Sequence, residues 1–200
     1  MNSEGFPPTS AGMIERDDSI LVVIDVQEGF LKKLHPARRD PMVDRCRFLI
    51  EAALRMTIPI FVTVEEPDVN GQTIPVLRAL LGPGVPDREK NVFGLCGQDD
   101  LREAILAHRR RTAVLVGLET DVCVLHSAVG LLQNGFRVAV VSDATAAPGE
   151  EHELGLRRAA GFGAELAHAK GVYYEWVRSL DGLQAVKASA PIVPPQGSVL

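Results

Sequence analysis

Cys123 follows the apolar run Thr112-Ala113-Val114-Leu115-Val116-Gly117 and stands where a helical pattern begins. A thiol at such a junction is suited to nucleophilic attack. The first N–H groups of a helix lack intrahelical partners and the macrodipole adds positive charge, so a thiolate is expected over a thiol. Asp25 ends a second apolar run, Ile20-Leu21-Val22-Val23-Ile24. A lone aspartate after a strand is as readily a helix cap or a loop acid. Beside a thiol it gains another use, as the base that takes the thiol proton and returns it to a leaving amine, with its pKa raised by desolvation. Two potential anions call for a cation. Lys90, in Arg88-Glu89-Lys90-Asn91-Val92-Phe93-Gly94, is the candidate, although spacing alone does not separate it from a surface lysine.

The elements that must position these residues are read from periodicity. Val- and Ile-rich runs at residues 20–24, 58–64, 112–116, 137–142 and 164–167 read as strands, apolar enough to be buried on both faces. Between them, residues 43–55, 100–108, 121–134 and 151–160 carry apolar side chains at helical spacing. Asp100 with Glu103 is an expected capping pair, and Asn134-Gly135 an expected helix stop. The alternation predicts a parallel α/β sheet covered by helices, with ligands beyond the carboxyl ends of the strands. Residues 65–98, with one short helical pattern at 74–81, form a long connection of the kind that covers active sites.

Composition bounds the alternatives. The 200 residues, 46% hydrophobic and 5% aromatic, suit one domain over residues 14–189, with an arm at 1–13 and a Pro-rich tail at 190–200. A net charge of -5 offers no field for phosphates, so no nucleic acid is expected. The three cysteines show no ligand spacing and predict neither a disulfide framework nor a zinc site. With no apolar run long enough to span a bilayer and no leader pattern at the start, no membrane partner is expected and the compartment is expected to be the cytoplasm.

Three motifs occur in order: Ile-Asp-Val-Gln-Glu-Gly-Phe at 24–30, Lys90 ahead of Val-Phe-Gly, and Gly-Leu-Glu-Thr-Asp-Val-Cys-Val at 117–124. Together with Val140-Val141-Ser142-Asp143-Ala144 they resemble the isochorismatase-like cysteine hydrolases, which include nicotinamidases, carbamoylsarcosine amidases and ureidoacrylate amidases. The resemblance runs over residues 19–174 and implies a three-layer α/β/α fold with a Rossmann-like, mostly parallel sheet of about six strands. It implies an Asp25, Lys90, Cys123 triad: attack by Cys123 on a carbonyl carbon, proton transfer through Asp25, and hydrolysis of a thioester. The oxyanion hole would be the backbone N–H groups of Glu119 and Cys123, with a cis bond between Leu118 and Glu119 and Gly117 giving freedom ahead of it.

The departures narrow the chemistry. Where metal-dependent nicotinamidases carry Asp and His ligands, this chain reads Thr63-Val64-Glu65-Glu66-Pro67-Asp68, so no metal and no cofactor is expected. Isochorismatases that cleave vinyl ethers lack the cysteine, so Cys123 points to a C–N bond in a small amide, ureido or carbamoyl substrate. Gln27, Phe30, Phe93, Leu118 and Thr120 are candidate pocket residues, and Glu65 or Glu66 would meet a cationic group or face water. Cys46 reads as core and Cys96 as a residue of the pocket rim. His126, one turn beyond Cys123, is a weaker partner for the thiol than Asp25. A cluster at Tyr173, Tyr174 and Trp176 and the Pro-rich tail suit contacts in a homo-oligomer. Two other classes share this pattern: a binding protein that kept the fold without turnover, and a redox-sensing thiol protein.

Overall fold

The computed structural model describes residues 12–189 and 192–197. The rest of the expected arm and tail lies outside the described residues. Strand β1 (Ser19–Ile24) is buried along its whole length, as its unbroken apolarity predicts. A short helix α1 (Glu28–Leu31) leads to α2 (Pro36–Arg55), which begins seven residues earlier than the apolar pattern at 43. Pro36 suits the first turn, where its missing N–H leaves no bond unmade, and the His35 ring caps that turn by accepting from Ala37 N at 3.2 Å. Strand β2 (Ile60–Glu65) is followed by α3 (Pro67–Asn70), α4 (Pro75–Leu81) and strand β3 (Asp87–Lys90). Helix α5 (Asp99–Leu106) precedes β4 (Thr112–Leu118), a turn of π-helix (Thr120–Val124) and α6 (Leu125–Gln133). The chain ends with β5 (Arg137–Ala146), α7 (Glu151–Gly161), β6 (Glu165–Ala167), α8 (Ala169–Val177) and α9 (Leu180–Ser189).

Among the described residues six strands form one sheet in the order β3-β2-β1-β4-β5-β6, and every neighbouring pair is parallel. Alternation divides its side chains between two cores. Leu21, Val23, Val114 and Val116 face α2, α4 and α8, while Ile20, Val22, Ala113 and Leu115 face α5, α6 and α7. This is the three-layer α/β/α sandwich. The strand order reverses between β1 and β4, which opens a crevice at their carboxyl ends.

Strand β3 is absent from the sequence-based reading, which leaves that stretch as loop. Its residues, Asp87-Arg88-Glu89-Lys90, have no strand propensity, and the strand exists because it pairs with β2 in the register Val62↔Asp87 to Glu65↔Lys90. Two other expectations are corrected. Gln98, not Asp100, is the N-cap of α5, with no side-chain cap bond. Tyr173 and Trp176 are core residues, Trp176 Nε1 donating to Ser19 Oγ at 3.1 Å, so they are not available to a partner surface. Residues 192–197 lie against α2, where Val193 O accepts from Arg47 and Gln196 N donates to Asp44. No helix among the described residues is long and apolar enough to cross a membrane.

Gly117 lets β4 approach β1 closely as it leaves the sheet. Its φ is 116°, and a Cβ there would lie 2.0 Å from the Ile24 carbonyl oxygen. The register between β4 and β5 shifts at the same place. Gly117→Ala combines left-handed strain with a backbone clash, so we expect a loss of ~3 kcal/mol or more in urea unfolding. A loss under ~1 kcal/mol would show that the strand end can relax.

Candidate active site

Four strand ends meet in the crevice: Asp25 follows β1, Glu65 ends β2, Lys90 ends β3, and Cys123 lies just past β4. The Lys90 ammonium is the centre of the group. Its Nζ lies 2.8 Å from Asp25 Oδ2 and 2.7 Å from Glu65 Oε2, donates to Val92 O at 3.1 Å, and is 3.5 Å from Cys123 Sγ. Its three protons are used by Glu65 Oε2, Val92 O and Cys123 Sγ, and Asp25 Oδ2 is a close counter-charge without a hydrogen bond. Asp25 is fixed on its other side, where Oδ1 accepts from Thr63 Oγ1 at 2.9 Å and its own N–H donates to Thr63 O at 3.1 Å. Its backbone is left-handed at φ 49°. An aspartate tolerates that region better than most residues, and strain of this kind gathers at functional sites.

Cys123 is held differently from its expected place in a first α-helical turn. It lies in the π-helical turn, whose Glu119 carbonyl accepts from Val122 N at 3.2 Å and Val124 N at 3.1 Å. Helix α7 closes on this turn so tightly that a Cβ on Gly155 would come within 2.8 Å of Asp121 backbone. Thr120 is pinned by a 2.8 Å hydrogen bond between its hydroxyl and His152 Nδ1. The Leu118–Glu119 peptide is cis, and the Glu119 carboxylate pairs with Lys33 at 2.9 Å.

The electrostatics correct the expectation of a resting thiolate. Burial pushes the Cys123 thiol up, the Asp25 carboxylate pushes it further, and Glu65 adds to this against the opposing pull of Lys90. Asp25 is raised as well, because its burial outweighs the Lys90 charge. For Lys90 burial acts downward, but Asp25 and Cys123 outweigh it and keep the ammonium charged. The thiol, whose Sγ lies 3.3 Å from Glu65 Oε2, thus shares one network with the ammonium and two carboxyl groups, and that network as a whole raises its pKa.

Glu65 is the member that sequence reading left outside the triad. The signal is that Glu65 closes an apolar strand, as Asp25 follows one, but the apolar run itself ends at residue 64 and β2 extends one residue beyond it. Gln27 fixes it from beneath: Nε2 donates to Glu65 O at 2.9 Å and Oε1 accepts from Glu65 N at 2.8 Å. Of the other candidate pocket residues, Phe30, Leu118 and Thr120 are buried, whereas Phe93 is 55% exposed. Phe93 lines a cavity of about 230 Å³ with Glu65, Glu66, Asn91 and Val92. A larger groove of about 760 Å³, also lined by Phe93, takes in Cys96, His126 and Phe162 and none of Asp25, Glu65, Lys90 and Cys123. His126 is exposed and its ring stands edge-on to Phe93.

Among the described residues, Asp25, Glu65 and Cys123 form a group of three ligating side chains with donor atoms within 4.8 Å of one another. A metal does not fit there, because the Lys90 ammonium already stands between these donors. The raised thiol gives a direct expectation. Removing one neighbouring negative charge lowers its pKa, so capture of Cys123 by iodoacetamide should shift to lower pH in Asp25→Asn than in the unaltered protein. An unchanged pH profile, followed by intact mass, would mean that Asp25 does not set the thiol's charge state.

Comparison with known proteins identifies the family and the fold. An isochorismatase domain model matches residues 19–170. The chain is 26% identical over 175 residues to isochorismatase family protein 2A of Dictyostelium discoideum, covering 84% of this chain and 86% of that one. The MAR1 ribonuclease of Caenorhabditis elegans superposes with a TM-score of 0.80 at 26% identity, over 94% of this chain and 98% of the other. The YcaC gene product of Escherichia coli, described as an octameric hydrolase of unknown specificity, has the same fold, with a TM-score of 0.78 at 24% identity over 87% and 88% of the two chains. With the domain model spanning well over half of its length, this protein belongs to the isochorismatase family of hydrolases.

Proposed function

We propose that this chain is a metal-independent cysteine amidohydrolase, with one catalytic domain over residues 14–189. The observation that carries the reading is a thiol 3.5 Å from a buried ammonium and 3.3 Å from a carboxylate, at the sheet's switch point. Cys123 Sγ attacks the carbonyl carbon of a small amide, ureido or carbamoyl compound while Asp25 takes the thiol proton. The raised pKa of Asp25 favours that transfer. The N–H groups of Glu119 and Cys123 hold the oxyanion, and the proton passes to the nitrogen as the C–N bond breaks. Ammonia or an amine leaves, and water hydrolyses the thioester.

Lys90 stays charged and stabilises the thiolate as it forms. Substrate enters through the cavity beside Phe93, whose mouth bears Glu65 and Glu66. Those carboxylates favour neutral or cationic substrates. They repel phosphates, as does the net charge of -5, so the C. elegans neighbour's name is not extended to this chain as RNA cleavage. A redox-sensor reading gains nothing from Cys46, which lies in the opposite core cluster from Cys123. The octameric description of the E. coli neighbour supports a homo-oligomer.

The test is ammonia release over a panel of small amides and ureas. One or more should be turned over, EDTA should leave the rate unchanged, and Cys123→Ala should lower it by ~10²-fold or more. A Cys123→Ala protein retaining over about a tenth of the rate would rule out covalent catalysis at this residue.

A further inference from the structure

Two carboxylates face the thiol, and they are not equivalent. Asp25 is fully buried, with Oδ1 hydrogen-bonded by Thr63 and Oδ2 in a 2.8 Å ion pair with Lys90 that makes no hydrogen bond. Glu65 uses only Oε2, toward Lys90 at 2.7 Å and Cys123 Sγ at 3.3 Å, while Oε1 has no hydrogen-bond partner among the described residues. Its side chain is 14% exposed, whereas those of Asp25 and Lys90 are fully buried, and it lines a cavity of about 230 Å³ with Glu66, Asn91, Val92 and Phe93. Water that attacks an acyl group on Cys123 must arrive from the open side of the site, where the carboxylate it meets is that of Glu65. Gln27 holds the Glu65 backbone through both atoms of its amide, so the carboxylate is kept in place.

We propose that Glu65 is the base of deacylation, taking a proton from the attacking water and returning it to the Cys123 sulfur. The inference rests on the reading of Cys123 as the acyl acceptor. As the water O–H bond breaks, the proton goes to a Glu65 oxygen and the hydroxide oxygen bonds to the thioester carbonyl carbon. The C–S bond then breaks, the acid is released, and the Glu65 proton passes to the thiolate across the 3.3 Å contact. Acylation and deacylation are thereby served by different carboxylates: Asp25 on the buried side of the ammonium and Glu65 on the open side.

The probe is p-nitrophenyl acetate, whose good leaving group makes acylation undemanding. Glu65→Gln keeps an oxygen to accept from Lys90 but cannot act as a carboxylate base. It should release a burst of p-nitrophenolate near one per active site, then turn over ~10²-fold more slowly than the unaltered protein. Intact mass should show an acetyl group accumulated on Cys123. Hydroxylamine, which attacks thioesters without a base, should restore release, and Glu65→Ala should behave in the same way. A steady-state rate within about threefold of the unaltered protein would overturn the proposal. So would burst and steady state falling together with no acetyl adduct, which is the signature of a positioning role alone. If the unaltered protein does not hydrolyse the ester and neither it nor Glu65→Gln is acetylated at Cys123, it is the cysteine-hydrolase reading that fails.

Discussion

The buried Lys90 ammonium constrains the rest of the site. It has no exposed side-chain surface, and its charge is balanced by Asp25 at 2.8 Å and Glu65 at 2.7 Å. Taking such a cation out of water costs several kcal/mol unless each proton is bonded and counter-charges are close, and both conditions are met here. The sheet supplies that arrangement. Strands β1, β2 and β3 run side by side in parallel, so their carboxyl ends bring an aspartate, a glutamate and a lysine to one level, and β4 adds the thiol from across the switch point. None of these ionised groups would be stable there alone. The same mutual dependence raises the pKa of the thiol, because burial and two carboxylates outweigh one ammonium.

The surroundings follow from holding these charges still. Gly117 lets β4 run against the Ile24 carbonyl before the chain turns, and Gly155 lets α7 press on the turn that carries Cys123. Thr63 and Gln27 use their polar atoms on Asp25 and Glu65. Polar groups buried in this way rigidify a site when fully bonded and are costly when they are not. The backbone is strained at Asp25 and at Glu66, where φ is 42° ahead of Pro67, and both positions flank the crevice. Strain at two strand ends that face one pocket is consistent with a fold that gives up local comfort for placement of chemical groups.

Much of this was legible in residue types and spacing. Strands β1 and β4 are buried on both faces, so their apolar runs are unbroken and Asp25 and Cys123 stand out at the ends. Strand β3 was illegible because it is polar and at the sheet edge, and only pairing with β2 makes Asp87–Lys90 extended. Lys90 therefore rested on a resemblance and not on its own context. Glu65 is hard to read for a related reason: the apolar run stops at Val64, so a strand-end carboxylate looks like a loop acid. The π-helical turn and the resulting thiol environment depend on the packing of α7 on Asp121, which no local pattern encodes. Tyr173 and Trp176, read as a partner surface, fill the core under α2, since aromatic clusters on a short helix serve either purpose equally well.

The central claim is that one buried cation holds the strand-end carboxyls together, and Lys90→Met in denaturant unfolding across pH tests it most directly. Without the ammonium, Asp25 keeps the burial that raises its pKa and loses the charge that opposes it. A carboxyl whose folded pKa lies above its unfolded value weakens the fold as pH rises and ceases to do so once protonated. The account predicts that Lys90→Met is less stable than the unaltered protein by ~3–5 kcal/mol at neutral pH, with the gap narrowing toward about pH 4 as Asp25 takes up its proton. A gap under ~1 kcal/mol, or one that stays constant across that range, would contradict it.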